Sequence, residues 1–437
     1  MRIRTALTFL VYLAALLTAS RQAQGSPASH KLRNANLVFI QLDTVRADYV
    51  DGATMPTLTR LASKGIAFTR ALSTSTWCVP GTVSLLTALG PSRHGVYNKF
   101  VFTPGDATGP HELKLSRAVK TLPEVLRAHG YSAAAFTGQQ TIDSIDGLDK
   151  RLDLHFTGER LCTFEKTGPA ALAWIKTQKK PFFAFVHAYN PHGAVDMSYT
   201  GQFFSGRYRG PYRPGAAQYL KMRDQEWLNK EREGRFYVSG MGKDDVAYMR
   251  ALYRERLRHT DQQLGAFMKG LAAAGILDKT IVVITSDHGE ELFERDAMCH
   301  GHSLYDELIH VPLVFLFPGA SSQKVSAAVR NIDALPTMLD AVGVQAPEGR
   351  DGVSLLPVIE GHAAARIDYP ETDFLKMTTR RGIVDGRYKL VVTLENGTQE
   401  LYDLEKDPGE RVNLRAQIPY VAARLYGKLK KRFTTLP

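Results

Sequence analysis

With 437 residues, 44% of them hydrophobic and 23% charged, the chain is long enough for one large catalytic domain with an appendage or for two modest domains, and too apolar for a disordered protein. Its formal net charge of +11 suits anionic ligands. The basic residues are scattered, with neither a zinc-finger spacing nor a basic helix followed by heptads, so nucleic acid is not the expected partner.

The chain opens with a short positive region, Arg2 and Arg4, then the apolar run ALTFLVYLAALLTA and the polar SRQAQGS. That layout is a secretory signal over residues 1–25, with cleavage near Ser20; the run is shorter than the roughly 20 apolar residues an ordinary bilayer span needs. A periplasmic or secreted location follows, and no other stretch is long and apolar enough to cross a membrane. Beyond Asn34, NLVFIQLD predicts a buried parallel strand. PTLTRLASKG predicts a helix with Pro56 at its start and Gly65 at its end. SRAVKTLPEVLRAHG then YSAAAFTG, and PAALAWIKTQKK then PFFAFVHAY, repeat a helix–strand alternation. Residues 196–244 are rich in Gly, Tyr and Arg without periodicity, the texture of a lid or substrate wall. A long helix over about 245–274 precedes TIVVITSD, a β-branched run typical of a central strand, and VPLVFLFPG with the helical NIDALPTMLDAVG continues the pattern.

Strands alternating with helices predict an α/β fold, a doubly wound and mostly parallel sheet flanked by helices. Near residue 365 the texture changes. RGIVDGRYKLVVTLENGTQELYDL carries DG and NG turn signals between short strand-like runs, which predicts an antiparallel sheet, and AQIPYVAARLYGKLKKRF predicts a closing helix. The expected organisation is a catalytic domain over 34–364 and a small α/β domain over 365–437.

In such sheets ligands gather at the carboxyl ends of the strands. Asp43 closes NLVFIQLD; Asp287 closes TIVVITSD and is followed by His288. Each aspartate alone is equally readable as a helix cap. Together with the imidazole they make a ligand set for one hard or borderline divalent ion. The second feature is STSTWCVPGTVSLLTALGPSRHG. Pro80 suits a helix's first turn and places Cys78 at the helix amino terminus, where backbone N–H groups favour a thiolate or a bound oxyanion; a buried structural cysteine is the plainer alternative. Three cysteines are too few for a disulfide scaffold, and a Cys162–Cys299 bridge stays open.

Six segments in this order, NLVFIQLDTVRADYV, WCVPGTVSLLTALGPSRHGV, FFAFVHAYNPHG, VVITSDHGEEL, CHGHSLYDELIHVPLVFLFPG and ELYDLEKDPGERVNL, resemble the sulfatase family of the alkaline phosphatase superfamily. The resemblance implies a metal-dependent hydrolase of sulfuric esters, with Asp43, Asp287, His288 and the side chain at position 78 around one divalent ion. Calcium is expected first; magnesium, manganese and zinc are compatible. It implies that Cys78 is the nucleophile position, oxidised to formylglycine by a formylglycine-generating enzyme, the hydrate of the aldehyde attacking sulfur and later expelling sulfate. His192 matches a histidine beside the leaving-group oxygen, and His300 or His302 a catalytic lysine or histidine. Asn190 stands where an aspartate is common, which disfavours a second metal there, and His94 is expected to fix the loop after the nucleophile helix.

The departures from the family pattern bear on the reaction. The motif C-x-P-S-R reads here Cys78-Val79-Pro80-Gly81-Thr82, so its arginine is Thr82. The G-K-W-H segment is absent, and the second aspartate of the usual pair is Thr44. These features are shared with a branch beginning D-T-x-R-A-D. They leave open a phosphate or phosphonate ester hydrolase or phosphotransferase, and a non-enzymatic protein on the same fold.

Overall fold

The structure, a computed structural model, describes residues 32–97, 100–101, 111–112, 114–138, 151–157, 163–192, 202–212, 241–362, 369–374, 378–434 and 436. The amino-terminal signal, Cys162 and most of the 196–244 stretch lie outside these residues. No helix among them is long and apolar enough to cross a membrane.

The strands of the main sheet are β1 (Asn36–Leu42), β2 (Ile66–Leu72), β3 (Ser132–Thr137), β4 (Leu154–Thr157), β5 (Phe182–Ala188), β6 (Thr280–Ser286), β7 (His310–Leu316) and β8 (Gln323–Arg330). They lie in the order β8-β2-β7-β6-β1-β5-β3-β4. All neighbouring pairs are parallel except those of β7, which runs antiparallel to β6 and β2. VPLVFLFPG is therefore the antiparallel member of a mostly parallel sheet. β6 ends at the carboxyl edge, and the chain spends residues 287–309 on that edge with no long crossover helix, so the next strand starts there and must run back.

The central strands are buried on both faces, and their alternation sorts them into two cores. Leu37 and Phe39 of β1, Phe183 and Phe185 of β5, and Ile281 and Val283 of β6 face one layer. That layer holds α2 (Cys78–Thr87), α3 (Leu122–Ala128) and α6 (Ala334–Ala341). Val38, Ile40, Ala184, Val186, Val282 and Ile284 face the other, formed by α1 (Pro56–Lys64), α4 (Phe164–Thr177) and α5 (Lys243–Ala273). A period of two on strands covered on both sides makes a doubly wound α/β sheet.

Local chemistry starts the helices where the chain needs them. α1 has Pro56 at its first position. Before α3, the Thr121 N–H donates to Glu124 Oε2 at 2.7 Å, half of a capping box. α2 is buried along all ten residues, as its Val, Leu and small side chains require.

The carboxy-terminal sheet is antiparallel, β9 (Glu371–Phe374), β10 (Thr378–Asp385), β11 (Tyr388–Thr393) and β12 (Gln399–Asp403) in chain order. One face packs Ile383, Leu390, Val392 and Leu401 against Val421, Leu425 and Leu429 of α7 (Pro419–Arg432). The opposite face meets the main domain through Val384 and Tyr402 against Leu72, Tyr305 and Leu308. The fully buried Lys389 locks this contact, donating to the Leu304 carbonyl at 2.9 Å and pairing with Asp306 at 2.8 Å and Glu410 at 2.7 Å.

Candidate active site at the carboxyl ends of the central strands

β6, β1 and β5 are neighbours, so the residues after each strand emerge side by side. Asp43 follows β1, Asp287 and His288 follow β6, and Tyr189 to His192 follow β5. α2 brings its first residue, Cys78, over them. Two glycines permit this closeness. A Cβ on Gly81 would lie 3.1 Å from Asp287 Cβ and 3.2 Å from its carbonyl oxygen, and one on Gly289 would overlap the Glu307 carbonyl. The loop after β1 is strained: Thr44, a β-branched residue, has φ 55°. Its N–H donates to Asp287 Oδ1 at 3.3 Å, and its carbonyl accepts from the Tyr253 hydroxyl at 2.6 Å. Ser286 Oγ donates to the Leu42 carbonyl at 2.6 Å and accepts from the Val45 N–H at 2.9 Å. Backbone strain held by this many bonds marks a site whose geometry matters.

Ligand atoms of Asp43, Cys78, Asp287 and His288, all buried, lie within 4.8 Å of one another. Cys78 Sγ is 3.7 Å from Asp43 Oδ1 and 3.2 Å from His288 Nε2, and the latter is 3.7 Å from Asp287 Oδ2. His288 Nδ1 faces the Gly289 carbonyl at 2.7 Å. A proton there leaves Nε2 with its lone pair turned into the cluster. Burial pushes both carboxyls up to about 7; His288 opposes this at Asp43, and Asp43 itself adds to it at Asp287. No arginine or lysine is among the groups acting most strongly on either. Asp287 Oδ2 accepts no hydrogen bond among the described residues. Two buried carboxyls short of positive charge, an orphaned oxygen and an aimed imidazole nitrogen fit a divalent cation. The Cys78 thiol is pushed well up by burial and by Asp43, Asp287 and Glu290. Burial and these three carboxyls therefore oppose the thiolate that a helix amino terminus favours.

On the outer side of Cys78 stand His192 and His300. His300 Nε2 is 3.8 Å from Sγ, and its Nδ1 lies 3.3 Å from Glu290 Oε1. The His192 ring stacks on Tyr189 at 4.6 Å and meets His300 edge-on at 5.1 Å. Burial, with His300 and His288 adding to it, holds His192 neutral, well below the usual histidine range. His302 is not brought to this group. Its ring is fully buried with Nε2 2.7 Å from Glu291 Oε2, and its carbonyl accepts from Arg380 of β10. Asn190 is tied to α4, accepting from the Phe164 N–H at 2.6 Å and donating to Glu165 at 2.8 Å. His94 bonds Ser84 at 3.0 Å and the Val96 N–H at 3.0 Å, on the loop after α2.

His187 was not singled out from the sequence. It is fully buried on β5, with Nε2 3.1 Å from Asp43 Oδ2, while the Gly138 N–H donates to its Nδ1 at 3.3 Å. That assigns the Nε2–H tautomer and makes His187 the donor that orients Asp43. The signal was present: His187 in FFAFVHA and Gln41 in NLVFIQL are polar residues near the ends of buried apolar strands. His187→Phe should weaken divalent-metal binding by about 10- to 100-fold, and His187→Gln, which keeps a donor near the Nε2 position, should recover most of it. Calorimetric titration of metal into both variants measures this directly.

The Sulfatase family model matches residues 35–344, and a model described as N-sulphoglucosamine sulphohydrolase, C-terminal, matches residues 298–436. The chain belongs to the sulfatase family. Among its relatives, a Delta 4,5-hexuronate-2-O-sulfatase of Bacteroides thetaiotaomicron is 25% identical, the match covering 93% of this chain and 88% of that one. Arylsulfatase K of Xenopus laevis is 24% identical over 86% of this chain and 77% of its own. A solved 2-O GAG sulfatase superposes with a TM-score of 0.73 at 22% identity, covering 92% of each chain. The phosphonate monoester hydrolase of Agrobacterium radiobacter also gives 0.73, at 20% identity, covering 92% of this chain and 96% of that one. The chain is a sulfatase-family hydrolase with a buried candidate metal cluster. At the arginine position of the family motif, Thr82 is fully buried and accepts a hydrogen bond from Gln41 Nε2 at 2.8 Å.

Proposed function

We propose that the protein hydrolyses sulfate esters of acidic sugars, with residue 78 as the nucleophile after oxidation of Cys78 to formylglycine. The observation that carries this reading is the placement of Cys78 Sγ at the start of α2, between the buried Asp43–Asp287–His288 cluster and the histidine pair. The uronate sulfatase among the relatives and the chain's net charge of +11 support an anionic sugar as substrate. Asp43, Asp287 and His288 would hold one divalent ion, calcium suiting the oxygen-rich set. That ion would supply charge stabilisation for the transferring group and for an oxygen on residue 78. The aldehyde would supply, as its hydrate, an oxygen nucleophile in place of sulfur.

The chain's own residues divide the remaining work. His187 and the Thr44 N–H orient the two carboxylates. His300 is the proton donor to the departing alkoxide: it faces residue 78 with one nitrogen, and its protonated ring would set the other against the Glu290 carboxylate. His192, held neutral, is suited to hydrogen-bond the ester oxygen. His302 has a supporting place, its contact with Glu291 holding the CHGHS segment.

A phosphate or phosphonate ester hydrolase is the second reading, favoured by Thr82, which puts a neutral buried hydroxyl where the motif has a cation. Protein coexpressed with a formylglycine-generating enzyme, its residue-78 peptide weighed by mass spectrometry, should show aldehyde in place of thiol and cleave a 2-O-sulfated uronate and an aryl sulfate faster than an aryl phosphate or a phosphodiester. An unmodified thiol in protein that prefers the phosphorus esters would promote the second reading.

A further inference from the structure

We propose that in chains whose Cys78 remains a thiol, Cys78, His192 and His300 form a zinc site that shares only Cys78 with the carboxylate cluster. One ligand atom from each of the three lies within 4.8 Å of the others. Cys78 Sγ and His300 Nε2 are 3.8 Å apart. Zinc bonds of about 2.3 Å to sulfur and 2.0–2.1 Å to nitrogen put such atoms roughly 3.5 Å apart in a tetrahedron, so the Cys78–His300 pair needs a contraction of a few tenths of an ångström and the His192 ring closes from within the 4.8 Å bound.

The surroundings point the same way. Glu290 carboxylate oxygens lie 3.3 and 3.4 Å from His300 Nδ1. A proton on Nδ1 shared with Glu290 turns the Nε2 lone pair toward Sγ, the carboxylate–histidine arrangement found behind zinc ligands. The His192 ring is held by stacking on Tyr189 at 4.6 Å. His192 and His300 each keep some exposed surface, whereas every member of the carboxylate cluster is buried, so an entering cation meets these two rings first. Two nitrogens and a sulfur are a borderline-soft donor set, unlike the oxygen-rich pair of aspartates below.

Binding converts Cys78–SH and Zn2+ to a zinc thiolate and releases one proton to solvent. Three protein ligands leave a fourth position for water or an anionic oxygen. The state of residue 78 then selects the metal: a thiol draws zinc outward to the histidines, and an oxygen at the same carbon removes the soft ligand. This inference is independent of the sulfatase reaction, since it concerns the unconverted chain.

The test uses metal-free full-length protein whose Cys78 is shown to be a thiol by peptide mass, titrated with Co2+ as a spectroscopic stand-in and then with Zn2+. A sulfur-to-cobalt charge-transfer band with intense tetrahedral visible bands should form and be displaced by Zn2+. It should vanish in Cys78→Ser, the Co2+ affinity should fall at least about tenfold in His192→Ala and in His300→Ala, and the band should persist in Asp287→Asn, which removes a carboxylate that opposes the thiolate. His192→Gln and His300→Gln replace the alanine variants if circular dichroism shows either unfolded. Absence of the charge-transfer band, its persistence in both histidine variants, or its loss in Asp287→Asn would overturn the proposal.

Discussion

Cys78→Ala should reduce ester hydrolysis by about 10^4- to 10^6-fold, the range for loss of a nucleophile whose partners stay in place. Cys78 is 2% exposed at the first position of a fully buried helix, and alanine removes only the sulfur from a site lined by polar groups. Pro80 still presets the first turn and Gly81 still lies against Asp287, so the fold should hold. The informative companion measurement is divalent-metal content. With Asp43, Asp287 and His288 intact, the variant should keep a divalent ion with modestly reduced affinity, whereas Asp287→Asn should lose both ion and activity. Retained hydrolysis in Cys78→Ala, measured alongside an active-site titration, would remove residue 78 from the chemistry.

Metal-free protein should lose stability as pH rises from about 4 through 7, and calcium should stabilise it far more at pH 8 than at pH 5. Asp43 and Asp287 are raised from 3.8 to about 7 in the folded chain, burial being the largest cause at each. Between those values the folded protein keeps protons that the unfolded chain has released, so raising the pH favours unfolding, by at most about 1.4 kcal/mol per pH unit for each group. Above 7 both carboxyls ionise in the folded state at the full cost of two like charges buried together. A divalent ion removes that cost and binds the ionised forms, so its effect grows through the same window. Calorimetric melting of metal-free and calcium-loaded protein at several pH values measures the difference. Asp287→Asn should remove roughly half of the pH dependence. A calcium-induced shift in Tm that is the same at pH 5 and pH 8 would contradict the account.

Sequence pattern alone determined the alternation of strands and helices, because strands buried on both faces must be continuously apolar and NLVFIQL, FFAFVHA and TIVVITS leave little else to be read. It also determined where Asp43, Asp287 and His288 emerge, since residues directly after such strands lie at the carboxyl edge, and the antiparallel texture of the chain's last part, from its DG and NG turns. Tertiary structure alone decided the rest. The direction of β7 depends on which edge the chain occupies after β6, which no local run encodes. His187 is an isolated polar residue in an apolar strand until β5 is laid beside β1 and its ring meets Asp43. His300 and His302 are two residues apart with equal claims in sequence; the fold turns one toward Cys78 and buries the other against Glu291. The helix position of Cys78 left a thiolate, a bound oxyanion or a buried structural cysteine open, because a helix end is a local feature, whereas the carboxyls of Asp43, Asp287 and Glu290 that oppose the thiolate arrive from other parts of the chain. Long-range contacts carry the electrostatics of this site, and they exist only once the sheet has assembled.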